Sequence, residues 1–232
     1  MFNHFKEIHQ DEILPSVHPE SVRIRRISEE ILGALWSDLS EERVWKHNKT
    51  SVEEEGYWEQ KRIKSMIRYL ECLNWEFIVV RDPMANAINV VPGKIVIFTG
   101  MLDLLRSDAE IAFVLGHEVG HTVSRFLAEK VTKFLWFVLF QLIPNLSLPL
   151  QRRAEIEAEY IGLMLVASAG YDPRVSLTVN EKYRGKTMDM APWDELLSTH
   201  PSGRTVKRFL TQTHVMEEAL AVYMAKKHII SS

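Results

Sequence analysis

The chain has 232 residues, 46% of them apolar, enough to bury a core as one compact domain. Its 28 basic and 31 acidic side chains leave a net charge of only -3 and are dispersed along the chain, so nucleic acid is not an implied partner. Cys72 is the single cysteine, which excludes an internal disulfide framework and any cysteine-based zinc cluster, so a metal would have to be held by histidines and carboxylates.

Residues 1–19 contain Pro15 and Pro19 and little periodicity, and read as an extended lead-in to a single domain over 20–232. The opening has neither an apolar run nor an Arg/Ser-rich, acid-poor stretch, so no targeting segment is read in this chain. Val22, Ile24, Ile27, Ile31, Leu35 and Leu39 recur at helical spacing and predict an amphipathic helix between Glu20 and Trp45. A second helical stretch, about Gly56 to Leu73, leads into the β-branched and aromatic run Trp75–Val80, a predicted strand. Ala87–Val91 and Ile95–Phe98 flank Pro92-Gly93 as a hairpin, so a small antiparallel sheet is expected.

Ser107-Asp108-Ala109-Glu110 has the S-x-x-E form of a capping box, which starts a helix running through Ile111, Val114, Leu115 and Val119. Phe134–Ile143 is almost wholly apolar, but Pro144 ends it after ten residues, and a spanning helix needs about 20. The stretch 134–150 therefore reads as a short apolar segment. Helices follow from Gln151 to Ala169, closed by Gly170, and from Gly203 to about Lys226.

His117-Glu118-Val119-Gly120-His121 carries the chemistry. Residues four apart lie on one helix face, about 5–6 Å from each other, so two imidazoles can share one ion. Glu118 then lies beside the open coordination position, placed to take a proton from water. A chain of this composition would hold such a pattern by accident roughly 0.03 times, and this one sits in a capped apolar helix, as its mechanism requires. Two exposed histidines beside a glutamate are the plain alternative.

A catalytic zinc takes three protein ligands and keeps one place open. The metzincin form is excluded, because Ser124 and Leu127 occupy the positions where it needs glycine and histidine. Glu155, Glu157 and Glu159 on the later helix offer the third ligand. Glu155 and Glu159 share a face while Glu157 points to the other side, and spacing alone leaves both Glu155 and Glu159 open.

The H-E-x-G-H helix, the R-x-x-E-x-E-A-E-x-x-G helix at 152–162 and Thr199-His200-Pro201 resemble the membrane-associated gluzincins, which include the CAAX prenyl endopeptidases and the bacterial heat-shock peptidases. Asp82, Pro83, Asn86 and Ala87, with the run Ala-Ser-Ala-Gly-Tyr-Asp-Pro at 167–173, are similar to the mitochondrial inner-membrane branch of that family. The resemblance covers nearly the whole chain, with its motifs in the right order. It implies an α+β, mostly helical zincin-like metallopeptidase with a small antiparallel sheet packed on the zinc-binding helices.

By that resemblance one Zn2+ per chain is held by His117, His121 and Glu155. Glu159 stands where the family normally has an aspartate supporting the metal site, and His200 matches a histidine that steadies the oxyanion. The chain departs from the family most in the connection between the two zinc helices, which is shorter here.

The expected reaction is hydrolysis of internal peptide bonds, with the sheet edge near Lys94–Phe98 receiving the substrate; the resemblance implies substrates among the membrane-associated proteins of the mitochondrial inner membrane. A pseudoprotease that binds such segments without cutting them is the alternative, and a purely structural metal is the weaker one, since that would need four protein ligands. Phe134–Phe140 reads as a membrane-interfacial or oligomer-facing patch, with burial in the core as the plain alternative.

Overall fold

The computed structural model describes residues 1–40, 63–124, 144–187 and 213–231. Phe2–Ile8 forms helix α1 and Pro19–Ser40 forms α2, followed by α3 over 63–71. Strands β1 (Glu76–Val80), β2 (Ala87–Val91) and β3 (Lys94–Phe98) come next. The remaining elements are α4 at Thr99–Leu104, α5 over 108–124, α6 at Pro144–Ser168, α7 at Val175–Thr187 and α8 at Thr213–Ser231. The protein is α+β and mostly helical, as expected. The run 134–143, His200 and the first part of the last expected helix lie outside the described residues. Among the described residues no helix is long and apolar enough to cross a membrane.

Alternation along the strands gives the sheet two buried faces. Val79, Ala87, Ile95 and Ile97 join the main core with Ile24, Ile27, Ile31 and Leu35 of α2. Val80, Val96 and Phe98 on the other face form a second cluster with Phe2, flanked by Phe5, Ile78, Ile88 and Val90. Residues 1–19 are therefore not simply an extended lead-in: Phe2 and Phe5, three apart, are one face of α1, and that face covers the outer side of the sheet. Lys6 reinforces the contact by bonding Glu76 at 2.9 Å.

The sheet is mixed, in the order β1-β3-β2. The β2–β3 hairpin is antiparallel, as read from the sequence, whereas β1 pairs with β3 in parallel. This corrects the expected docking edge. Lys94–Phe98 is the middle strand, with both sides already paired, so it has no edge to offer. The outer side of β1 is partly closed by the chain before α2, through Leu14 N–H to Val79 O at 2.9 Å and Arg81 N–H to Glu12 O at 2.7 Å. Among the described residues, β2 is left as the free edge.

Two helices carry the site. The capping box of α5 forms as predicted, with Ser107 N–H to Glu110 Oε2 at 3.1 Å and Glu110 N–H to Ser107 Oγ at 3.3 Å. Pro144 is the first residue of α6 rather than only the end of the run before it; its missing N–H costs nothing at that position. Residues 144–150 form the first turns of α6. The axes of α5 and α6 approach closely because glycine lines their contact. A Cβ on Gly120 would sit 2.4 Å from Ala158 O, and one on Gly162 would sit 2.8 Å from His117 N.

Candidate active site

The turn 117–121 of α5 faces the turn 155–159 of α6. His117 Nε2 and His121 Nε2 are 3.0 Å apart, with the rings nearly perpendicular at 84°. Glu155 Oε2 lies 3.5 Å from each of them. The centre of such a triangle is about 1.9 Å from every corner, close to the roughly 2.0–2.2 Å reach of a zinc–nitrogen or zinc–carboxylate bond. Two imidazoles and one carboxylate are also a donor set that suits zinc. The residues present therefore fit a single ion of that kind. Glu118 adds its carboxylate to the same group, within 4.8 Å of the two histidines, and is 3% exposed.

Behind the triangle, Glu159 Oε2 lies 2.8 Å from His117 Nδ1. A carboxylate on the far nitrogen of a ligand histidine fixes its tautomer and ring plane. The structure thus brings Glu155 and Glu159 to the two different nitrogens of His117, a distinction that spacing could not supply. Helical geometry turns Glu157 to the opposite side. It is half-buried there, and burial raises its carboxyl above the ordinary value against the opposing charge of Arg153.

Burial of His117 opposes its charge, but Glu155 and Glu159 outweigh burial and hold it well above the ordinary imidazole value. Burial and the neighbouring His117 push His121 down instead. The cluster contains three buried carboxylates, on Glu118, Glu155 and Glu159, around two imidazoles. It is built to hold positive charge.

Three residues that sequence reasoning missed join the site. Asn89 on β2 donates from Nδ2 to Glu118 O at 3.0 Å and to Thr122 Oγ1 at 2.6 Å. Thr122 is fully buried. On α7, burial raises the phenol of Tyr183, and the charge of Glu118 raises it further. No local pattern marks these three, because each matters through a partner distant in sequence.

A His-Glu-x-x-His helix facing a second, carboxylate-bearing helix beside a small mixed sheet defines a zincin-like metallopeptidase centre. Residues 57–140 and 125–211 match the sequence pattern of Peptidase family M48, and the chain belongs to that family. The two matched pieces overlap at 125–140.

Over 96% of its length the chain is 41% identical to the mitochondrial metalloendopeptidase OMA1 of Arabidopsis thaliana, covering 57% of that protein. It is 31% identical to the protein of the same name from Saccharomyces cerevisiae, over 92% of this chain and 61% of the relative. With that of Schizosaccharomyces pombe it shares 28% identity, over 94% and 62%. The chain thus spans about six-tenths of the length of these relatives.

Proposed function

We propose that the chain is a zinc-dependent endopeptidase acting on membrane-associated polypeptides at the mitochondrial inner membrane. The observation that carries this reading is the triangle of His117, His121 and Glu155, with Glu118 beside it and Glu159 behind His117. Family membership supports the reaction class, and relatives named as mitochondrial metalloendopeptidases support the place. His117, His121 and Glu155 hold the ion, and Glu159 orients His117. Zinc, when bound, supplies Lewis acidity toward the scissile carbonyl and toward water.

The protein's own residues perform the rest. Glu118, buried beside the open side of the triangle, takes the proton of the attacking water and returns it to the leaving amine. His200, by family resemblance, donates to the oxyanion that develops on the carbonyl. The peptide is held by strand addition to β2, the edge left free among the described residues, in place of the Lys94–Phe98 edge expected from sequence. Ile88 pairs inward with Val96, so the alternation of an antiparallel ladder turns the backbone groups of Asn89 outward on that edge.

The 2.8 Å contact between Glu159 and His117 favours hydrolysis over the binding-only alternative, because glutamate at this position still reaches the imidazole.

The test is zinc content and casein proteolysis of the purified chain beside Glu118→Gln. One zinc in each, with cleavage lost by 10²-fold or more in the variant, is expected. Zinc without cleavage by either form would move the reading to a binding protein, and a chain without zinc would remove its basis.

A further inference from the structure

We infer that Asn89 is a positioning residue that sets the register between the free edge of the sheet and the metal-site helix; this rests on the peptidase reading above. Asn89 sits on β2 with its side chain on the α5 side of the sheet, where Nδ2 meets Glu118 O at 3.0 Å and Thr122 Oγ1 at 2.6 Å. The N–H of Gly93, at the hairpin turn, reaches the same Thr122 hydroxyl at 3.4 Å. Two points of the β2–β3 hairpin thus converge on the one turn of α5 that carries both Glu118 and His121. Through its backbone, Asn89 faces the edge where a peptide adds. Through its side chain, it holds the peptide unit of the general base. One residue therefore ties the substrate's line to the base and the ion.

The state of the amide separates positioning from stability. Asn89 Oδ1 is buried and has no hydrogen-bond partner among the described residues. An unpaired buried acceptor destabilises a fold. A valine would occupy the same strand position with no such atom and with a better fit to a pleated, half-buried surface. What the amide provides that valine cannot is the pair of bonds from Nδ2 to α5.

The experiment compares the zinc-loaded wild type with Asn89→Val, using two probes. Acetohydroxamate meets only the metal, whereas a peptide hydroxamate must also lie along β2. Zinc content and acetohydroxamate affinity are expected to be unchanged in the variant, and its thermal midpoint equal or higher. The advantage of the peptide hydroxamate over acetohydroxamate is expected to fall at least tenfold, since a misplacement of about 1 Å costs up to 10²-fold. Thr122→Val, which removes the shared hydroxyl at constant shape, is expected to lower the same ratio.

An unchanged ratio beside normal binding of both probes by the wild type overturns this inference alone. So does a fall matched by loss of zinc or of thermal stability, which would mark a merely structural role. A wild type that binds neither probe overturns the peptidase reading, and this inference with it.

Discussion

His117 is flanked by a carboxylate at each ring nitrogen: Glu155 lies 3.5 Å from Nε2, and Glu159 lies 2.8 Å from Nδ1. Only the first can share an ion with His121, because the second lies on the far side of the ring. On the proposed reading Glu159 acts through His117, and removing it should loosen the ion without emptying the site. We expect Glu159→Ala to weaken zinc binding by about 10- to 100-fold, read by competition with a chelator. Affinity equal to wild type would show that packing alone orients the ring. The histidines and Glu118 are legible in the sequence because a helix brings i and i+4 together. Glu155 and Glu159 are not separable there, because both lie on the same face and only the placement of α5 against α6 tells them apart.

Between residue and site stand the elements that fix α5. Its N-terminus is closed by the Ser107–Glu110 box, and Lys182 of α7 bonds the second oxygen of Glu110, tying α7 to the same end. Burial raises the Glu110 carboxyl, but the bonds from Lys182 and Ser107 outweigh it and lower the carboxyl below 4.5. A depressed carboxylate contributes stability that is present above its unfolded value and lost as pH falls through the folded one. Glu110→Gln should therefore destabilise by about 1–2 kcal/mol at pH 7. The gap in urea midpoint should close as pH drops below 4.5. A gap that stays constant down to pH 3.5 would mean that the charge is irrelevant to the cap.

The hairpin and the capping box were readable because both are local: β-branched runs around Pro-Gly, and a serine three residues before a glutamate. Helix α7 is not legible in the sequence, since its buried side includes Ser176 beside Val179 and gives no apolar stripe. The place of β3 in the middle of the sheet was also hidden, because β1 reaches it in parallel across an intervening strand, and local alternation does not encode such a pairing.

Across the whole molecule, the candidate metal site lies where α5 meets α6. Helix α5 is anchored to the sheet through Asn89 and Thr122, while α6 packs against α2 and α8. On the proposed reading a bound ion would join His117 and His121 on α5 to Glu155 on α6. Three buried carboxylates face two imidazoles there, so a bound cation would offset charge that is otherwise costly to bury. Because the site exists only in the folded chain, zinc should stabilise by mass action, about 2.7 kcal/mol at a free concentration 100 times Kd. In a chain of this size that corresponds to a rise of roughly 5–10 °C in Tm over the chelated protein. Glu118→Gln should keep the rise, since Glu118 is assigned to the proton and not to the ion. Glu155→Ala should lose most of it, whereas Glu157→Ala, on the opposite side of α6, should keep it. Scanning calorimetry with zinc and with chelator reads all four proteins, and a full rise in Glu155→Ala would remove Glu155 from the ligand set.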